Sequence, residues 1–217
     1  MSTSYKNIVF DLGGVIVDLD IPSSFAAFAQ IGLVPQHVNL EEMTNNGIPP
    51  DWPMLQLMHA MDIGDMDGQQ FTATLKPQCL PGTTDEQILQ AFNRIIRMPR
   101  HRLEWLQRLR KNYRVYLLSN IGDVHWKETC RQASALGIPI EECFDEVFLS
   151  YRMRMAKPDA AIYQRLITET GINPRETLYI DDLPDNIEAG RKTGLQVLKT
   201  PTNRLDEILP SIFSDIQ

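Results

Sequence analysis

Residues 7–14 read Asn7-Ile8-Val9-Phe10-Asp11-Leu12-Gly13-Gly14, an apolar run that ends in a carboxylate followed by two glycines. Such a run has the composition of a buried strand, and its last residue places a carboxylate at the carboxyl edge of a sheet. Open α/β sheets bind their ligands along that edge. Working outward, Leu178-Tyr179-Ile180 ends in the acidic pair Asp181-Asp182, and Leu117-Leu118 ends in Ser119-Asn120. Lys157-Pro158 falls between these two. Carboxylate, hydroxyl, ammonium and acidic pair therefore follow one another along the chain.

The rest of the sequence supports a sheet. Short apolar runs predict strands at Asn7–Phe10, Val115–Ser119, Glu146–Leu149, Thr177–Ile180 and Gln196–Leu198. Helical periodicity fills about Asp123–Leu136, Asp159–Thr170 and Asn186–Thr193, with Pro158-Asp159 as a start signal and Gly171 and Gly194 as stop signals. This alternation predicts an α/β fold, a Rossmann-like three-layer core whose parallel sheet is covered by helices on both faces. The first strand breaks the rhythm, because between Asp20 and about Met98 there is helical pattern and no convincing strand. There Ser23 and Ser24 precede apolar Phe25 and Phe28, Met54, Met58 and Met61 recur at helical spacing, and Thr84 with Gln87 forms a capping box. Pro49-Pro50 and Pro53 cut the segment into short helices. The expected division is a core of residues 1–18 and 99–217 with an inserted α-helical module at 19–98. The methionine stripe reads as core packing, since Met fills irregular helix interfaces.

Composition narrows the function. The 217 residues are 43% hydrophobic and 23% charged, which suits a soluble globular chain, and the formal charge of −7 argues against nucleic acid. The basic stretch Arg94, Arg97, Arg100, Arg102, Arg108, Arg110, Lys111 and Arg114 is interleaved with Leu103, Leu106 and Leu109. It reads as the wet face of a helix. The opening MSTSYKN offers no signal peptide, no later run is long enough to span a bilayer, and Cys79, Cys130 and Cys143 lack metal or disulfide spacing. A cytoplasmic protein with buried thiols is expected. Nothing in the sequence specifies an oligomeric state.

Each candidate has a chemical reading and a plainer one. Asp11 can attack phosphorus without prior deprotonation or can cap a turn; Gly13-Gly14 favour the former by letting backbone N–H groups approach a phosphate. Ser119-Asn120 suits an oxygen-binding hydroxyl and suits equally a cap for the helix near Asp123. Lys157, held before a proline, can neutralise charge, whereas Arg152 and Arg154 read as exposed loop arginines. Two adjacent carboxylates repel, so an ionised Asp181-Asp182 pair calls for a cation; magnesium prefers such oxygen ligands.

Taken in order, D-L-G-G-V (11–15), L-S-N (118–120), Lys157 and Y-I-D-D (179–182) resemble the four motifs of the haloacid dehalogenase (HAD) superfamily, across the whole core. The resemblance is nearest to its sugar-phosphate branch, which acts on hexose 1-phosphates, and it implies an inserted helical cap. It also implies catalysis by Asp11, Ser119 and Lys157, and magnesium held by Asp11, the Gly13 carbonyl and Asp182, with Asp181 acting directly or through water. Substrate is implied to meet Leu12, Gly13, Gly14, Ser119, Asn120 and Lys157, with Asn93 of the cap and His125 beside Trp126. A lone histidine near a helix start is more commonly structural. Asn186 completes a D-D-x-x-x-N pattern and orders that loop. One position departs from the phosphatase pattern, which carries a second Asp two residues after the first; here it is Gly13.

Other readings meet obstacles in the motifs. A 2-haloacid dehalogenase also lacks that second Asp but has no use for the Asp181-Asp182 pair. A two-component receiver carries its acidic pair first in the chain. A HAD-like phosphate-binding or regulatory protein with little turnover rests on Gly13 alone. The expected activity is Mg2+-dependent hydrolysis of a small phosphorylated metabolite, such as a hexose 1-phosphate, through an aspartyl-phosphate on Asp11.

Overall fold

The computed structural model describes residues 5–34, 53–213 and 216. Five parallel strands form the central sheet: β1 (Asn7–Phe10), β4 (Arg114–Ser119), β5 (Glu146–Leu149), β6 (Thr177–Asp181) and β7 (Gln196–Lys199). Their order is β5-β4-β1-β6-β7. From β1 the chain moves to β4 and β5 on one side, then crosses to β6 and β7 on the other. The direction of winding therefore reverses beside β1, which opens a crevice at the ends of β4, β1 and β6.

Both sheet faces are buried, and alternation divides the strand side chains between them. Ile8, Phe10, Val115 and Leu117 pack with Leu103, Leu106 and Leu109 of α5 (Arg100–Leu109) and with Trp126 and Ala133 of α6 (Asp123–Ala135). Val9, Tyr116, Leu118 and Tyr179 pack on the opposite face with Ile162, Tyr163 and Leu166 of α8 (Ala160–Thr170). Asp159 caps α8, and Gly171 ends it in the left-handed conformation at φ 65°. A short helix, α7 (Ser150–Met153), follows β5, and α9 (Pro184–Lys192) follows β6.

The insert builds a separate apolar cluster. It contains α1 (Ile21–Gln30), α2 (Pro53–Asp62), α3 (Gly68–Leu75) and α4 (Asp85–Asn93), joined through Phe25, Phe28, Met54, Met61, Phe71, Ile88 and Phe92. Met58 is partly buried against the same cluster, so all three stripe methionines pack there. The capping box of Thr84 and Gln87 forms as expected. Ser23 and Ser24 lie inside α1, which Asp20 caps instead through Ser23 N. The Pro49-Pro50 break lies outside the described residues.

One element was not anticipated. Asp18–Leu19 (β2) pairs antiparallel with Ile96–Arg97 (β3), making a two-stranded neck where the chain enters and leaves the insert. Two residues per strand are too few to show periodicity, so only pairing across the insert reveals it. Among the described residues no helix is long and apolar enough to cross a membrane. Cys143 is buried, whereas Cys79 and Cys130 are only half-buried, and all three are free thiols.

Arg102 corrects the wet-face reading. The other basic residues of that stretch are exposed, but Arg102 is 1% exposed. Its Nη1 donates to Val15 O and Asp18 Oδ1, each at 2.8 Å, and Nε and Nη2 hold Asp206 at 2.9 and 3.0 Å. Nη2 also reaches Asn203 O at 3.3 Å. A planar fork of donors suits this convergence in a way that a lysine would not. Arg102→Ala leaves a buried carbonyl and two carboxylates short of a partner. We expect a loss of about 3 kcal/mol, moderated because Asp206 is partly exposed. Urea midpoints at constant slope measure it; a loss below about 1 kcal/mol would show that the network is dispensable.

Candidate active site

The crevice gathers one group from each strand end. Asp11 follows β1, Ser119 ends β4, Asp181 ends β6 and Asp182 comes next. Lys157 enters from the loop before α8 and is 4% exposed. Its Nζ lies 2.8 Å from Asp11 Oδ1 and 2.7 Å from Asp181 Oδ2, and it donates to Leu118 O at 3.0 Å. All three ammonium donors are thereby used. Burial alone would lower the Lys157 ammonium, but Asp11 and Asp181 outweigh it and hold its pKa above the ordinary value.

The carboxylates are not equivalent. Asp181 accepts from the Tyr179 hydroxyl, from Leu183 N at 2.8 Å and from Asn186 Nδ2 at 3.1 Å, besides its bond to Lys157. Burial pushes its pKa up, yet Lys157 and these donors carry it below the usual range. Asp182 takes a hydrogen bond from the Thr202 hydroxyl at 2.6 Å and has no ion pair among the described residues. Burial raises its pKa. Asp11 is raised as well, first by burial and then by Asp181, against the downward pull of Lys157. Both of its recorded contacts, Lys157 Nζ and Leu12 N at 2.7 Å, fall on Oδ1. Oδ2 is left without a donor among the described residues.

Three carboxylates thus stand beside a single ammonium that pairs with only two of them. Oxygens of Asp11, Asp181 and Asp182 lie within 4.8 Å of one another, all buried. A hard divalent cation suits this donor set, since it would neutralise the charge that burial disfavours. Gly14 keeps the space open. At φ 74° its Cβ would stand 2.5 Å from Asp182 Oδ2 and 2.9 Å from Thr202 Cγ2. Gly14→Ala should therefore displace Asp182 and cost about 100-fold in kcat/KM, the usual effect of misplacing a group by about 1 Å. Its apparent magnesium constant should rise as well. Unchanged magnesium dependence in this variant would contradict the assignment.

A model of haloacid dehalogenase-like hydrolases matches residues 5–194. The chain belongs to this family. It is 32% identical over 206 residues to the D-ribitol-5-phosphate phosphatase of Bacteroides thetaiotaomicron, covering 93% of this chain and 94% of that one. It is 25% identical over 202 residues to a sesquiterpene phosphatase of Aspergillus oryzae, covering 90% and 89%. A HAD family enzyme of Bacteroides thetaiotaomicron, crystallised with magnesium and inorganic phosphate, superposes with a TM-score of 0.78 at 30% identity. That alignment covers 93% of this chain and 96% of the enzyme.

Other residues expected of a HAD hydrolase fall in different places. Asn120 does not cap α6, whose N-cap position is Gly122, with no side-chain cap. Its Nδ2 donates to Lys157 O and its Oδ1 accepts from Lys157 N, both at 2.8 Å. Asn120 thus clamps the lysine's backbone. Ser119 is 2% exposed at the end of β4. His125 stacks on Phe92 at 3.8 Å, and its Nε2 lies 3.2 Å from Phe92 O. Burial lowers its pKa to about 4, so it is neutral between core and insert. Asn93 lines a polar cleft with Gln90, Glu128 and Arg131, and its Oδ1 is buried without a hydrogen-bond partner among the described residues. The structure groups neither Asn93 nor His125 with the Asp11 cluster. Arg152 and Arg154 are both exposed as expected, and Arg154 also pairs with Asp65 of the insert at 2.5 Å.

Tyr179 and Thr202 escaped the sequence reading. Tyr179 reads as core in an apolar strand, and Thr202 reaches Asp182 only because β7 returns beside β6. Asn186 was legible from its spacing after the acidic pair.

Proposed function

We propose that this HAD hydrolase is a magnesium-dependent phosphatase of a small sugar or sugar-alcohol phosphate, working through an aspartyl-phosphate on Asp11. The observation that carries it is the buried Asp11–Lys157–Asp181 chain with Asp182 beside it at the sheet's switch point. Asp11 is the nucleophile, and its Oδ2 faces phosphorus while Lys157 fixes Oδ1. Ser119 and the N–H groups of the 12–14 turn hold phosphoryl oxygens, and Asn120 positions Lys157. Asp11, the Gly13 carbonyl and Asp182 would hold magnesium, which would supply charge neutralisation at the phosphoryl group. Asp181, saturated with donors, orients Lys157 and would add its negative charge to the metal site. Residues 1–18 and 99–217 form the catalytic core, and 19–98 form the cap.

The relatives support the reaction class, since two are phosphatases by name. A dehalogenase would leave Asp182 a buried carboxylate without a task. The motif resemblance favours hexose 1-phosphates, whereas the Bacteroides relative acts on a polyol 5-phosphate. A panel of hexose 1-phosphates, pentose and pentitol 5-phosphates and isoprenoid phosphates, assayed with magnesium and with chelator, tests the reading. Hydrolysis of the sugar or polyol esters in magnesium alone is expected; hydrolysis of none, or equal rates in chelator, overturns it.

A further inference from the structure

The loop that follows β7 carries groups to which the proposed chemistry gives no task. Residues 201–204 form a turn closed by Arg204 N on Pro201 O at 3.1 Å. Its third residue, Asn203, is left-handed at φ 62°, a turn position that favours Gly or Asn. From there Asn203 N donates to Gly14 O at 2.7 Å. Its side chain turns to the neck of the insert, where Oδ1 accepts from Leu19 N at 2.8 Å and Nδ2 donates to Leu19 O at 3.1 Å. One amide thus completes the edge of β2 that β3 leaves open, since it offers an acceptor and a donor side by side.

Each contact leads to a proposed metal ligand. Gly14 follows Gly13 directly. The Leu19 side chain packs on Gly13, where a Cβ would lie 3.5 Å from Leu19 Cδ2. Thr202, next to Asn203, donates to Asp182 Oδ2 at 2.6 Å. Arg102 Nη2 braces the turn through Asn203 O at 3.3 Å.

The other edge of the neck shows what support alone looks like. Gln132 of α6 accepts from Met98 N at 3.1 Å through Oε1 and donates to Ile96 O at 3.0 Å through Nε2. Its remaining hydrogen bond goes to Glu128, and among the described residues none goes to the 11–14 turn or to Asp182.

We propose that Asn203 is a positioning residue of this site, tying the neck to the Gly13-Gly14 turn and to the Asp182 side, so that the seating of the insert sets the metal ligands. The inference rests on the phosphatase reading above. Gln132 holds the same neck without acting on the metal.

Magnesium titrated calorimetrically into wild type, Asn203→Gly and Gln132→Ala separates positioning from support. Asn203→Gly keeps the left-handed backbone and removes the amide. Its magnesium constant should rise about tenfold, the lower end for loss of a group that orients metal ligands. Hydrolysis lost at low magnesium should return as magnesium is raised. Gln132→Ala should lower the urea midpoint and leave the magnesium constant unchanged. Asn203→Asp is nearly isosteric and still accepts the Leu19 N–H, but it sets a carboxylate oxygen on Leu19 O. It should weaken magnesium too, although its added charge alone would tighten binding. Wild-type constants in both Asn203 variants, or equal weakening in Gln132→Ala, would make Asn203 a support of the neck only and overturn the proposal. A wild type that binds no magnesium would overturn the metal site on which the inference rests. One that binds magnesium but hydrolyses no phosphate ester would overturn the phosphatase reading alone.

Discussion

Asp11→Asn should stop turnover while leaving the protein folded. The amide is nearly isosteric with the carboxylate but cannot form an acyl-phosphate, so kcat/KM should fall on the order of 10⁴-fold or more, as when other covalent nucleophiles are removed. The fold should tolerate the change for an electrostatic reason. Three carboxylates lie buried together, only Asp11 and Asp181 pair with Lys157, and the pKa of Asp11 is already raised by burial. Removing that charge leaves the 2.7 Å Lys157–Asp181 pair intact. Urea midpoints should therefore match or exceed those of the wild type. Retention of more than a few per cent of the rate, at matched stability, would exclude a covalent role for Asp11.

Asp182→Ala should abolish the response to magnesium in two independent measurements. Catalytically, losing the metal's charge neutralisation is worth several kcal/mol, so kcat should fall about a thousandfold and excess chelator should have no further effect. Thermodynamically, a ligand at 100 times its Kd stabilises the native state by about 2.7 kcal/mol. Wild type should gain roughly that amount on adding magnesium, and Asp182→Ala should gain none. In chelator the variant should be at least as stable, because an unpaired buried carboxylate has been removed. Its only side-chain hydrogen bond among the described residues, from Thr202, is the loss to set against this. Equal magnesium stabilisation of both proteins would place the metal elsewhere.

The core strands were legible because burial on both faces demands continuous apolar runs, and the runs of β1, β4 and β6 ended in the residues that now face the crevice. The observed β1 and β5 match the expected bounds, and β4, β6 and β7 differ by one residue at an end. The β2–β3 neck was illegible because its partners stand far apart in sequence and each is two residues long. Arg102 looked like its exposed neighbours, since a helix face of arginines does not record which one points inward. Only the return of the chain through Asn203 and Asp206 surrounds it.

Residue types and order by themselves determined which groups could do chemistry: carboxylates and a hydroxyl at the ends of apolar strands, and a lysine held before a proline. Tertiary structure decided how they divide the work, because partners are assigned by strand order and not by spacing. Asp181 and Asp182 are adjacent in sequence and look alike, yet β6 turns one toward Lys157, Tyr179 and Asn186 and the other toward Thr202. Asn120 reads as a cap but clamps Lys157, which is distant in sequence.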